Sequence, residues 1–388
     1  MFVQRTLAPQ LQQAAREYPV VTVTGPRQAG KTTLVRAVFP NHTYVNLEQP
    51  EIRRLAQEDP QQFFHMHSGP MILDEIQRVP ELLSWVQVRA DETKRRGEFI
   101  LTGSHQMELG QAISQSLAGR TALLTLLPFS MAELSDAGVI RDKNEWMHKG
   151  FLPRVTAEPI EPTRAYADYF RTYVERDVRQ MMEIRNLTRF ENFMRLLAGR
   201  AGQILNLMSL SADVGVSSTT LREWLSILEA SFIVFRLPPY YRNYGKRLIK
   251  SPKIYFHETG LLCWLLGIES AAEVARDPLH GQVFENLVVT EAMKARLHAG
   301  RESRLYFWQD SNRNEVDLLW ENQRKLIPLE IKSAMTWNRE FSANVAKFQH
   351  SIPDAAKGYV VYAGDLFPED EHFRAVHFSK VSQCFQSV

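Results

Sequence analysis

The segment Gly25-Pro26-Arg27-Gln28-Ala29-Gly30-Lys31-Thr32 constrains this chain more than any other stretch. It matches G-x-x-x-x-G-K-[ST], follows a β-type run (VVTVT) and opens a helix-forming run (TLVRAVF). Glycines let a backbone wrap an anion so that successive N–H groups point inward, and a helix N-terminus adds partial positive charge. In such a loop Lys31 neutralises the β/γ-phosphates and the Thr32 hydroxyl ligates Mg²⁺. The complete motif in strand–loop–helix context argues against a chance glycine-rich turn. Gly25 through Thr32, with Thr33 beside them, form the expected ATP/ADP contact set.

A second element supports the same chemistry. Met71-Ile72-Leu73-Asp74-Glu75 is an apolar strand ending in two acids. Downstream of a phosphate loop, Asp74 is expected to hold the magnesium through water and Glu75 to polarise the attacking water. Phe99-Ile100-Leu101-Thr102-Gly103-Ser104 is a further apolar strand ending in hydroxyls. Ser104, or failing it Thr102, is placed to orient water or γ-phosphate; a plain strand-to-loop turn is the competing reading. Val20 to Thr24, Thr43 to Leu47 and Leu123 to Leu127 complete a set of short, unalternating apolar runs. Such runs fit parallel strands buried on both faces.

Composition narrows the setting. The net charge of +2 announces no nucleic-acid partner, so any basic surface must be local. Two cysteines, Cys263 and Cys384, cannot make a disulfide framework or a four-ligand zinc site. The N-terminus lacks a signal-peptide pattern and no apolar run reaches the ~20 residues a membrane helix needs. A cytoplasmic protein without membrane contact is expected. Strand character fades from about Arg164 to Glu229 and returns at Phe232 to Leu237, Lys253 to His257, Leu305 to Trp308, Val316 to Trp320 and Leu326 to Ile331. Three domains are therefore expected: an α/β P-loop ATPase over 1–163, a helical connector over 164–260, and an α/β module over 261–388.

Beyond the loop itself, the stretches VTVTGPRQAGKTTL, PMILDEIQRVPELL, FILTGSHQ, SLAGRTALLTLLPFSMAEL, YFRTYVERDV, PKIYFHETGLL, GQVFENLVVTE, YFWQDSNRNEVDLLW and IPLEIKSA stand out. Together they resemble a widespread prokaryotic family of AAA-type ATPases whose ATPase domain precedes a C-terminal domain of unknown function. The resemblance implies that Ser104 is the sensor position and that the protein is a homo-oligomer. It also makes Arg120 a candidate for sensing γ-phosphate or reaching a neighbouring subunit's site, against the alternative of a salt-bridged surface arginine. One departure is visible: His257-Glu258-Thr259-Gly260 stands where the family usually has an aspartate before Thr-Gly-Leu-Leu.

Within the connector, Leu210 to Val216 reads as helix then glycine turn, and Ser217 to Leu221 opens a second helix with hydroxyl N-cap chemistry. Leu221, Leu225 and Leu228 form its apolar stripe. Helix, short glycine turn, capped helix and strand pair make the pattern of a winged helix-turn-helix. Arg236, Arg242, Lys246, Arg247, Lys250 and Lys253 follow without an intervening acid, interleaved with Tyr240, Tyr241 and Tyr244. That suits a wing on a phosphate backbone, and DNA is the expected partner; a lid or packing module is the competing reading.

The last module carries a second constellation. Asp317 lies in Val316 to Trp320, and a polar turn (Glu321 to Lys325) leads into Leu326 to Lys332. Period-two geometry puts Glu330 and Lys332 on one face and Ile331 in the core, so a hairpin can gather Asp317, Glu330 and Lys332. The set resembles the D…(D/E)-x-K core of restriction-endonuclease-like folds, with Glu285 as the extra acid on the preceding helix. Carboxylates such as Asp317 and Glu330 would hold a divalent cation that activates water, and Lys332 would offset charge near the scissile phosphate. A catalytically dead docking module of the same fold is the alternative.

The basic stretch generates the first prediction. Replacing Lys246, Arg247 and Lys250 by alanine weakens duplex DNA binding to all sequences alike and lowers the log–log salt slope by about 3, one phosphate per cation. Unchanged binding by the triple variant, measured by fluorescence anisotropy across salt, would make the stretch a structural surface.

Overall fold

The computed structural model describes residues 3–104, 116–174, 187–241 and 251–385. Arg242, Tyr244, Lys246, Arg247 and Lys250 of the basic stretch lie outside the described residues. The chain divides into two compact units. The first comprises residues up to Phe129 with Ala230–Phe232 and Leu297–Arg301; the second holds Ser130–Glu229, Ile233–Arg296 and the chain from Glu302 onward.

In the first unit, β1 (Val20–Thr24), β2 (Thr43–Asn46), β3 (Met71–Asp74), β4 (Phe99–Gly103) and β5 (Thr121–Thr125) form one sheet in the order β2-β3-β4-β1-β5. Every neighbour pair is parallel. Alternation divides each strand between two cores. Val20, Met71, Leu73, Phe99 and Leu101 face one, which is closed by Ala56 of α3 (Pro50–Glu58), Phe63 and Phe64 of α4 (Pro60–Met66), and Leu82, Leu83, Val86 and Ala90 of α5 (Leu82–Thr93). Val21, Val23, Ile72 and Ile100 face the other, closed by Leu11 and Ala14 of α1 (Ala8–Glu17) and Leu34 and Val35 of α2 (Lys31–Val38). This is why the central strands read as apolar throughout. The edges differ: β2 and β5 are half-exposed, and Leu123 is 60% exposed. β5 also begins earlier than the apolar run implies, because its ladder to β1 starts at Val20↔Thr121.

The order has one consequence for chemistry. β4 lies between β1 and β3, so the C-terminal ends of β1, β4 and β3 deliver the phosphate loop, Thr102–Ser104 and Asp74–Glu75 to the same edge.

In the second unit, residues 130–163, assigned by sequence to the ATPase domain, are tied to later elements. Met131 N–H donates to Glu291 Oε2 (2.8 Å), Phe151 N–H to Glu258 Oε1 (2.9 Å) and Lys143 Nζ to Ser333 O (2.6 Å). The helix Leu207–Val214 ends at Gly215, whose φ of 73° suits glycine. The Ser217 hydroxyl then caps the helix Ser218–Ala230 by accepting from Thr220 N–H (3.0 Å), and Leu221, Leu225 and Leu228 are buried as expected. β6 (Val234–Leu237) and β7 (Lys253–Phe256) pair antiparallel. β8 (Leu305–Gln309), β9 (Glu315–Asn322) and β10 (Lys325–Lys332) continue as antiparallel neighbours, and β11 (Gly358–Tyr362) and β12 (Phe373–His377) extend the sheet in parallel. The last two strands were not foreseen from sequence.

Candidate functional site

The phosphate loop is held in a shape that its residue types permit. Gly25 has a φ of 150°, and a Cβ there would stand 2.0 Å from Leu126 O. Gln28 and Gly30 also have positive φ, at 61° and 89°. Lys31 opens α2 almost fully buried and donates to Gly25 O (2.9 Å) and Pro26 O (2.8 Å), so its ammonium lies inside the curve of the loop. Burial lowers its pKa to about 8, against the opposing pull of Glu75 and Asp74, and the Arg27 cation adds to the lowering. A brace missed in the sequence reading is Arg5, whose guanidinium donates to Ala29 O (2.7 Å) and Leu127 O (2.6 Å).

Asp74 ends β3 and is buried. Its carboxylate accepts from Thr32 Oγ1, which is 3.0 Å from both oxygens, from the Tyr44 phenol on Oδ2 (2.7 Å) and from the Thr102 hydroxyl on Oδ1. Burial and the bond to Asp74 push the Tyr44 phenol well above its ordinary range. Glu75 adopts φ 58° and donates its N–H to Thr102 Oγ1 (3.2 Å). Its Oε2 accepts from Ser104 Oγ (3.2 Å) and from the Gln77 amide, which also donates to Ser104 (3.1 Å). The structure therefore gathers Lys31, Thr32, Asp74, Glu75 and Ser104 as expected, and adds Tyr44, Thr102 and Gln77.

A hydroxyl and a carboxylate with no salt-bridge partner among the described residues, beside a phosphate loop, fit Mg²⁺. That ion prefers hard oxygens and takes few protein ligands besides phosphates and water.

Arg120 is placed elsewhere. It pairs with Asp91 through Nε–Oδ1 (2.6 Å) and Nη2–Oδ2 (2.9 Å), and its carbonyl accepts from Val20 N–H at the start of β1. The phosphate loop follows the other end of that strand, about 13 Å away at ~3.3 Å per residue. Sensing of its own chain's γ-phosphate by Arg120 does not fit this placement.

In the second unit the hairpin brings Asp317, Glu330 and Lys332 together. Lys332 Nζ lies 2.6 Å from Glu330 Oε1 and 3.7 Å from Asp317 Oδ2, and Asp317 Oδ2 accepts from Ile331 N–H (2.8 Å). Glu330 is buried rather than projecting freely, because Asn344 of the helix Ala343–Ser351 covers it and donates to Oε1 (3.1 Å). Burial and the neighbouring Asp317 push its carboxyl up, offset by Lys332. Glu285 accepts from the Tyr255 phenol (2.6 Å) and Lys253 Nζ (3.2 Å); Lys253 also meets Glu315 (2.5 Å). Burial raises the Glu285 carboxyl as well, opposed by Lys253. Among the described residues no three His, Cys, Asp or Glu side chains form a group that could hold a metal ion. Asp317 acts on Glu285 and Glu285 on Lys332, so the four expected residues share one charged cluster, to which Lys253 is added.

Residues 17–135 match the family model described as AAA domain, 140–272 a domain of unknown function (DUF8612), and 280–381 another (DUF4143). The chain is 34% identical over 377 residues to Uncharacterized protein Rv2008c of Mycobacterium tuberculosis and to Uncharacterized protein Mb2031c of Mycobacterium bovis. The alignment covers 96% of this chain and 83% of each relative. The chain belongs to their family. Its first unit is an AAA-type P-loop domain, and no helix among the described residues is long and apolar enough to cross a membrane. Solved structures resemble it remotely. The Walker-type ATPase PABY2304 of Pyrococcus abyssi has a TM-score of 0.42 at 16% identity, over 68% of this chain and 96% of that one. AMPPCP-bound DnaA of Aquifex aeolicus has a TM-score of 0.31 at 12% identity, over 57% of this chain and 85% of that one. Likenesses this distant assign nothing to this chain.

The lowered Lys31 pKa sets a pH dependence. A phosphate against Nζ favours the ammonium, so the bound pKa lies above the free value of about 8. Below that pH both states carry the proton and ATP affinity is flat. Above it the free amine is neutral, binding takes up a proton, and affinity falls about tenfold per pH unit. Calorimetric titration from pH 7 to 10 in buffers of different ionisation heat checks this; constant affinity without proton uptake contradicts it.

Proposed function

We propose that this protein is a magnesium-dependent ATPase acting through its AAA domain. The observation that carries the reading is the convergence of Lys31, Thr32, Asp74 and Glu75, with Thr32 Oγ1 3.0 Å from both Asp74 oxygens. In ATP binding, Lys31 exchanges the carbonyls of Gly25 and Pro26 for β/γ-phosphate oxygens, while the loop N–H groups take the remaining charge. Thr32 and Asp74 hold Mg²⁺, which when bound neutralises charge developing on the phosphates. Glu75 orients the attacking water and accepts its proton, and Ser104 and Gln77 fix the Glu75 carboxylate through Oε2. Arg120, remote from its own loop and paired with Asp91, either reaches a neighbouring subunit in a homo-oligomer or is a salt-bridged surface arginine.

Nucleotide state, in this reading, controls the second unit on nucleic acid. The capped helix-turn-helix at 207–230 and the basic residues Arg242, Lys246, Arg247 and Lys250 support DNA contact through a winged helix, while Lys253 is buried against Glu285 and Glu315 and Arg236 pairs with Glu229. For the restriction-endonuclease-like module two readings stand: metal-dependent cleavage of DNA, or an ATP-switched interaction protein with an inactive docking domain. The pairing of Glu330 with Lys332 is common to both, and metal-dependent DNA cleavage that needs Glu330 separates them. We place the protein in the cytoplasm, where ATP and DNA are both at hand.

Two substitutions test the ATPase reading. Lys31→Ala removes the main phosphate-neutralising charge and abolishes tight ATP binding. Glu75→Gln keeps binding within about twofold and lowers turnover by about 10²–10⁴, the range of general-base catalysis. Phosphate release and fluorescent-nucleotide binding measure both. Equal loss of binding in the two variants would remove Glu75 from the role of base.

A further inference from the structure

Among the described residues, Tyr44 is the one partner of the Asp74 carboxylate that belongs neither to the phosphate loop nor to the strands carrying the acids and hydroxyls. It lies on β2, whose register with β3 sets Tyr44 beside Ile72 and Asn46 beside Asp74. Alternation puts Tyr44, Ile72 and Asp74 on one face, so the phenol reaches diagonally along the neighbouring strand to Asp74 Oδ2 at 2.7 Å. From the opposite side Arg36 lays its guanidinium 4.6 Å from the centre of the Tyr44 ring. Arg36 stands one turn along α2 from Thr32, the other α2 residue that reaches this carboxylate. A closed circuit results: Thr32 and Arg36 on the helix, Tyr44 and Asp74 on the sheet.

The circuit constrains a particular motion. Thr102 holds Oδ1 and Tyr44 holds Oδ2, so the carboxylate cannot turn about its own axis without breaking a bond at both ends. Both donors are neutral hydroxyls. They orient the acid without cancelling the charge a cation would need, as a lysine would. Partners behind a metal-binding carboxylate act in this way, by fixing its orientation.

We propose that Tyr44 is a positioning residue for the magnesium site, locking the Asp74 carboxylate in the orientation that receives Mg²⁺. The assignment rests on the ATPase reading above. Tyr44 touches no phosphate; it acts through Asp74. Its loss affects the metal and spares the part of nucleotide binding that the loop and Lys31 provide.

The test is Tyr44→Phe in the full chain, read by MANT-ATP fluorescence with EDTA and then along a Mg²⁺ titration, beside thermal unfolding. The expected result is an unchanged EDTA affinity and melting temperature, with the Mg²⁺ midpoint raised about tenfold. In an Asp74→Asn background the same substitution adds nothing, because its route to the metal is gone. A midpoint equal to the parent's overturns the proposal while leaving the ATPase reading intact. So does an equal loss of affinity in EDTA, which would make Tyr44 part of the phosphate site or the fold. A parent that binds no MANT-ATP at all sinks the ATPase reading and this assignment with it.

Discussion

The contact between the Thr32 hydroxyl and the Asp74 carboxylate joins the two halves of the nucleotide site. One residue opens a helix and the other ends a strand two positions away in the sheet, with β4 between β3 and β1. The contact exists only because β1, β4 and β3 are parallel and end at the same edge. Each strand reaches that edge by dividing its side chains between two apolar cores, so the site depends on residues as remote as Phe64 and Leu11. A buried carboxylate is costly unless hydrogen bonds or a cation meet it. Among the described residues three hydroxyls keep the Asp74 carboxylate in place and no salt bridge neutralises it.

The second unit handles buried carboxylates in another way. Glu330 and Glu285 are met by Lys332 and Lys253, yet burial, joined by the charge of Asp317, still raises the pKa of both acids. The Lys332 ammonium at 2.6 Å and the Asn344 amide both meet Glu330 Oε1, while the buried Oε2 has no hydrogen-bond partner among the described residues. The difference between the clusters is chemical rather than numerical. Around Asp74 the donors are neutral hydroxyls, whereas around Glu330 and Glu285 they include ammonium groups.

Much of the first unit was legible in the sequence because its signals are local. A phosphate loop is one continuous segment, and an apolar strand ending in Asp74-Glu75 is another. Other features were invisible because they depend on register. Tyr44 meets Asp74 only once β2 is paired with β3 in a particular alignment, and nothing in TYVNLEQP fixes that alignment. Gln77 joins Glu75 through a turn in which Glu75 takes a positive φ, unusual for a glutamate. Arg120 looked catalytic by resemblance, yet its ladder position puts it at the far end of β1. In the last module the period-two reading correctly gathered Asp317, Glu330 and Lys332, while the helix covering Glu330 and the lysine opposite Glu285 came from distant parts of the chain.

The central claim is that Thr32 and Asp74 together make a magnesium site at the mouth of a phosphate loop. Thr32→Val removes the hydroxyl and keeps the side chain's shape, so ATP binding by the variant, compared with and without Mg²⁺, tests it most directly. The account predicts that the variant binds ATP in EDTA as the parent does, and that Mg²⁺ no longer tightens binding or supports turnover. A variant whose binding still tightens with Mg²⁺ and whose turnover matches the parent's would contradict it.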